Sequence, residues 1–156
     1  MELKKLKRVM PHKWRVQSFS RNKAMAQCVA YINSRDVMNM LDKVCGMENW
    51  QSDYKEVKGN IYAGIGVKIN GEWVWKWDCG TESNIEREKG EASDSFKRAG
   101  VKWGIGRFLY ELKIHYVKAD KIQVGNSSRG IYPMDAMGNK MYSSVQLTDY
   151  INNLKN

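Results

Sequence analysis

The sequence predicts an α+β domain in which a three-stranded antiparallel meander is followed by one long helix. Three observations predict it. The pair Asn70-Gly71, flanked by alternating apolar residues, is the strongest short-range hairpin signal. A second turn signal, Gly59-Asn60, stands one strand earlier. After the third strand, Ile85, Ala92, Phe96, Ala99 and Trp103 fall on one stripe when projected at about 100° per residue. A chain of 156 residues suits a single unit with a real core.

Before the meander, "MELKKLKRVM" is read as a basic amphipathic turn or a disordered start. In "SRDVMNMLDKVCG", Ser34 is the expected N-cap, Val37, Met40, Leu41 and Val44 follow at helical spacing, and Gly46 closes the segment. A first helix over about 35–45 follows. "NWQSDYKEVKGN", "IYAGIGVKI" and "EWVWKWDCG" are the three strands of the meander. With a two-residue loop at Asn70-Gly71, Ile69 faces Glu72 and Lys68 faces Trp73. One sheet face then carries Ile61, Ala63, Ile65, Val67, Ile69 and Val74. The other carries Tyr62, Gly64, Gly66, Trp73, Trp75 and Trp77, with the glycines leaving room for the indoles. Such a tryptophan row on an interior strand is expected in a core, with base stacking as the alternative.

The long helix begins after "CGTESN", where Thr81, Ser83 and Asn84 offer capping oxygens and Glu82, Glu86 and Glu88 favour the positive end of the helix dipole. Beside the apolar stripe runs a second one of Gly90, Ser93, Lys97, Gly100 and Gly104. A helical glycine costs about 1 kcal/mol relative to alanine, so either another backbone or a ligand is expected to lie against it. Lys97, ringed by small residues, suits a phosphate oxygen. Arg98 and Lys102 share a third side with Glu91 and Asp94, where a solvated face with i,i+4 pairs competes. Further on, "VGNSSRG" is a loop, "IYPMDAMGNKMY" a short hairpin turning at Gly138-Asn139, and "SSVQLTDYINNLK" a helix capped by Ser143 or Ser144.

Lys and Arg number 26 against 17 Asp and Glu, a net charge of +9. The excess is segregated: residues 1–24 hold eight basic and one acidic side chain, residues 97–121 seven and two, and residues 81–96 two and five. The usual partners of such a field are nucleic acid or an anionic membrane. No apolar run approaches the roughly 20 residues of a membrane span, and the start lacks the apolar core of a signal peptide, so a cytoplasmic protein without a membrane partner is expected. Cys28, Cys45 and Cys79 lack CxxC pairing and only His12 and His115 are present, which argues against a disulfide framework and a zinc site. There is no GxSxG, Walker or complete dinucleotide motif. Neither a cofactor, a metal nor a catalytic residue is expected.

The segments "KWRVQS", "AYINSRDVMNMLDKVCGMENWQ" and "GTESNIEREKGEASDSFKRAGVKWGIGRFLY", in that order, resemble the annealing domain of the Rad52 family of single-strand annealing proteins in its short phage or bacterial form. The resemblance runs from about Lys13 to Leu112. It implies a curved antiparallel sheet packed on the long helix, protomers assembled side by side into a ring or filament, and a basic groove that holds single-stranded DNA by its backbone without ATP. The chain then divides into a basic segment 1–12, an annealing domain 13–119 and a hairpin-and-helix appendage 120–156. The family's groove cations match Arg35 in the first helix and Lys97 and Arg98 in the long one. A further family cation falls on Val101, with Lys102 its nearest substitute, and the cation beyond the glycine turn is Arg107 or Lys113. Lys13, Trp14 and Arg15 line a second DNA path or a protomer interface.

The expected function is therefore binding of single-stranded DNA by a homo-oligomer and ATP-independent annealing of complementary strands in recombination and repair. A recombinase or a single-stranded DNA-binding protein is a further expected partner. The alternatives are a protecting or recombinase-loading protein without annealing activity, and a metal-dependent nuclease using Glu86, Glu88, Glu91 or Asp94.

Overall fold

The computed structural model describes residues 1–22, 24–80, 87–119 and 131–154, with residues 87–89 through their backbone alone. The chain divides into two units, Met1–Met10 with Ile32–Tyr110 and Pro11–Tyr31 with Glu111–Asn156. Its strands are β1 (Lys13–Phe19), β2 (Met25–Tyr31), β3 (Trp50–Val57), β4 (Asn60–Ile69), β5 (Glu72–Cys79) and β6 (His115–Lys118). Its helices are α1 (Ser34–Cys45), α2 (Arg87–Lys102) and α3 (Ser144–Leu154).

In the first unit the expected meander is present, antiparallel and in the order β3-β4-β5. Ile69 pairs with Glu72 and Lys68 with Trp73, as the Asn70-Gly71 loop requires. The earlier turn is shifted by one residue from the expected Gly59-Asn60. Lys58 and Gly59 take φ of 53° and 80°, two left-handed residues that match the strand twist, and Asn60 already pairs with Val57. β5 is an edge strand rather than an interior one, so its indoles are not core. Trp75 and Trp77 are half-buried and Trp73 is exposed, because they stand on the sheet face opposite α2.

Helix α2 packs on β4 and β5. Phe96, Ala99 and Trp103 are buried, as are Ala63, Ile65 and Val67, and Trp103 Nε1 donates to the Ile65 carbonyl at 2.9 Å. Two buried polar side chains tie the helix to the sheet. Glu91 Oε1 accepts from the Ile61 amide at 2.8 Å; Ser95 Oγ donates toward the Ile61 carbonyl at 2.8 Å and accepts from the Gly80 amide at 2.9 Å. The expected caps Thr81, Ser83 and Asn84, and Ile85 of the apolar stripe, lie outside the described residues. Helix α1 is capped by Asn33 rather than Ser34. Asn33 Oδ1 accepts from the Asp36 amide while Asp36 Oδ2 accepts from the Asn33 amide, both at 2.9 Å, a closed capping box. The N-terminal stretch forms the amphipathic turn, a 3-10 helix over Leu3–Lys7 that buries Leu6.

The second unit contains a sheet that the sequence patterns did not single out, antiparallel in the order β1-β2-β6. Trp14, Ala26, Cys28, Val117, Leu147 and Ile151 are buried in its core. α3 covers the β1 edge: Thr148 Oγ1 accepts from the Trp14 amide and Ser144 Oγ donates to the Trp14 carbonyl, both at 2.8 Å. Of the two expected caps, Ser143 is the one used, its Oγ accepting from the Gln146 amide at 3.2 Å. The hairpin before α3 pairs Met134 with Lys140 around a turn held by Asp135 and Gly138. The loop 124–130 lies outside the described residues.

Candidate nucleic-acid interface

The small-residue stripe of α2 is answered by protein rather than by a ligand. Ser93 Oγ meets Ser34 Oγ at 2.7 Å, and a Cβ on Gly100 would come within 3.0 Å of Val37 Cγ1. α1 therefore lies close along α2. Gly104 is not a helical glycine at all. The Ile105 amide bonds the Gly100 carbonyl and the Gly104 amide bonds that of Val101, both at 2.9 Å, with Gly104 at φ 106°. This is a Schellman ending, in which a left-handed residue after the helix needs glycine. A Cβ there would also meet Lys7 Cγ at 2.8 Å, so the stem of Lys7 crosses this end of the stripe.

Four of the expected cations fall around α2 and its C-terminal turn, and three of them are engaged by the fold. Arg98 Nε stands 3.9 Å from Asp78 Oδ2 on β5. Lys102 Nζ donates to the Trp77 carbonyl of the same strand. Arg107 donates from Nε to the Val101 carbonyl at 2.7 Å and from Nη2 to the Lys102 carbonyl at 2.9 Å, where it completes the helix C-terminus and opposes its negative dipole end. Lys97 is half-buried beside the α1 seam and forms no hydrogen bond or ion pair with the described residues. Arg35, exposed, follows directly on the Ser34 contact and is likewise without such a partner among the described residues. Arg35 is thus next in sequence to Ser34, and Lys97 one helical turn beyond Ser93, the two residues that join α1 to α2.

Sequence reasoning missed Lys7 at that seam, because nothing in "KKLKR" says which lysine meets Gly104. It also missed Lys76, whose Nζ lies 4.5 Å from the Trp103 ring centroid and donates to the Lys102 carbonyl at 3.3 Å. The alternation on β5 was the available signal for Lys76.

Lys13, Arg15 and Lys113 belong to the second unit and are exposed. Lys13 opens β1 opposite Tyr31. The Arg15 guanidinium carbon lies 5.6 Å from the Tyr31 ring centroid, a cation–π contact on the solvent side. Trp14, between them, is fully buried and packs edge-on against His115; it is a core residue rather than a surface for DNA.

Of the carboxylates considered for metal-dependent cleavage, Glu91 is buried on the Ile61 amide. Glu86 and the Glu88 side chain lie outside the described residues. Among the described residues no three His, Cys, Asp or Glu side chains come together as a metal site. Burial pushes the Cys28 thiol up to about 11 and raises those of Cys45 and Cys79 as well. No helix among the described residues is long and apolar enough to cross a membrane.

An α+β unit that sets a meander behind a helix pair, with two cations beside the helix contact that have no partner among the described residues, defines a class, a fold with a built basic surface. Comparison with known proteins gives the family. The model described as Rad52/22 family double-strand break repair protein matches residues 1–126, and the chain belongs to that family. It is 29% identical over 114 residues to the single-stranded DNA-binding protein DdrA of Deinococcus radiodurans, covering 72% of this chain and 54% of that protein. With DdrA of Deinococcus deserti it shares 30% identity over 106 residues, 67% of this chain and 52% of that protein. The chain thus matches about half the length of these relatives. No solved structure matches it.

Proposed function

We propose that the chain binds single-stranded DNA along the α1–α2 seam through Arg35 and Lys97, assembles side by side with copies of itself, and anneals complementary strands in recombination and repair without ATP. The observation that carries this is the division of the cations: Arg98, Lys102 and Arg107 are engaged by β5 and the α2 C-terminus, whereas Arg35 and Lys97, each within a turn of the Ser34–Ser93 contact, have no partner among the described residues. Lys7 extends the seam past Gly104. Family membership and the names of the DdrA relatives support the choice of single-stranded DNA as the polymer. Arg98, which is half exposed, is a secondary contact, and Lys102 and Arg107 act mainly on the fold. Lys13, Arg15 and Lys113, exposed on the second unit, serve a second strand or a neighbouring protomer.

Mechanistically, cations set on either side of the α1–α2 contact hold phosphates and leave the bases turned outward to pair. Counterion release supplies most of the affinity, so the reading is tested by salt. Lys97→Ala should weaken binding to every sequence and lower the salt slope by about 0.7, the share of one single-strand phosphate. Arg35→Ala should act alike. An unchanged slope in a folded variant removes that residue from the interface. A second reading is protection of single strands without annealing, since the relatives are named only as single-stranded DNA-binding proteins. Mixing two complementary hairpin-prone oligonucleotides without ATP separates the two, since a protector slows pairing and an annealer accelerates it.

A further inference from the structure

We propose that the face of the β3-β4-β5 sheet opposite α2 is a base-stacking surface for single-stranded nucleic acid, with Trp75 and Trp77 as the seats and Lys55 and Lys68 as the phosphate contacts. This rests on the strand-binding reading above but concerns a different surface of the same unit.

The surface is built by the strand register. Gly66 lies opposite Trp75 and Gly64 opposite Trp77. A Cβ on Gly64 would stand 2.6 Å from the Trp77 ring, and one on Gly66 2.7 Å from that of Trp75. Each indole therefore occupies the space over a glycine backbone, with one face against the sheet. The two rings are inclined by only 23°, with centroids 5.6 Å apart. They make a nearly continuous aromatic floor, extended by Trp73, which is 40% exposed and lies opposite Lys68. The outward face of Trp77 already carries a cation, the Lys55 ammonium 4.1 Å from its centroid.

The chemistry of the rim selects the occupant. Lys55 and Lys68 flank the floor, and the pleat puts Asp53 as its one acidic side chain among the described strand residues. A second copy of the chain docked here would have to desolvate these lysines, a residue depleted at the centre of protein interfaces. A polynucleotide needs no such step. Its bases present flat π-faces to the indoles, and its phosphates stand where the lysine ammoniums reach. Lys55, displaced from the Trp77 ring by a base, moves to the adjoining phosphate. This face thus offers base seats and phosphate contacts together.

The test compares an oligothymidylate with an abasic phosphodiester of equal length, binding each to wild type, Trp75→Leu, Trp77→Leu and Lys55→Gln. Wild type should bind the thymidylate more tightly by at least about fivefold for each ring engaged. The Trp variants should lose that preference and keep the abasic affinity, while Lys55→Gln lowers the salt slope by about 0.7. Equal binding of the two oligonucleotides by wild type overturns this inference alone, and that measurement needs no variant to fold. Retention of the preference by both Trp variants overturns it too, as does a loss of self-association in them without loss of the preference. Failure of wild type to bind either oligonucleotide overturns the strand-binding reading and this inference with it.

Discussion

Substituting Gly64 by alanine measures how firmly the indole floor is seated. In an open strand, alanine would be the better residue, because glycine there weakens a strand by roughly 0.5–1 kcal/mol. At Gly64 the added Cβ would stand 2.6 Å from Trp77 Cδ2 and Cε2 and 2.8 Å from Cε3. The neighbour is the body of a rigid ring, not the free end of a flexible chain, so the ring must leave its seat. Overpacking of this kind costs about 1–3 kcal/mol; net of the strand preference, Gly64→Ala should destabilise by about 1–2 kcal/mol. For a chain of this size that lowers Tm by roughly 3–8 °C. Calorimetry gives the shift, and tryptophan emission should move to the red as Trp77 gains water. The decisive control is the same change on Trp77→Ala, where alanine should be neutral or stabilising because the ring is gone. A Tm for Gly64→Ala at or above wild type, or equal losses in both backgrounds, would refute the reasoning.

Arg107→Gln removes two hydrogen bonds to the end of α2 and should cost about 1 kcal/mol of stability by denaturant titration, with little change in the salt slope of DNA binding. Cys28 gives a pH dependence. Its thiol is pushed up from 9.0 to about 11 by burial, so between those values the unfolded chain has released a proton that the folded chain keeps. The Cys28 contribution to stability should therefore be flat below about pH 9 and fall as pH rises toward 11, by on the order of 2 kcal/mol. Urea melts across that range should show a shallower fall for Cys28→Ala than for wild type.

The first unit was legible because its signals are local. Asn70-Gly71 fixed one hairpin register, and every cross-strand pair from Tyr62–Cys79 to Ile69–Glu72 follows from it by counting. What the sequence hid is which face of the sheet α2 covers. Both faces carry large apolar residues, and only the glycine seats distinguish a ring lying on the sheet from one buried beneath a helix. β2, "MAQCVAY", was missed for another reason: its buried residues are Ala26 and Cys28, too small to stand out as an apolar alternation. β6 is only four residues long. The glycine stripe was visible, but its meaning was tertiary. Gly100 faces α1, and Gly104 lies beyond the helix end, so neither leaves an open trough around Lys97.

On the function proposed, that division of the glycines limits how a strand would be held. With three of the helix-side cations committed to the fold, one protomer offers Arg35, Lys97 and Lys7 at the seam. Three single-strand phosphate contacts give a salt slope of about −2. A fourfold rise in salt then costs roughly twentyfold in affinity, far less than for a protein with a dense phosphate footprint. On the function proposed, the same figure means that counterion release at the seam of a single protomer is small, and retention of a strand at physiological salt would then require several protomers to share it. On the function proposed, side-by-side assembly is therefore a requirement of affinity and not only of geometry. The salt slope per oligonucleotide should grow with oligonucleotide length in steps of at least about 2, the share of the seam cations, as each further protomer engages. A slope of about −2 that stays constant from short to long oligonucleotides would show one protomer acting alone.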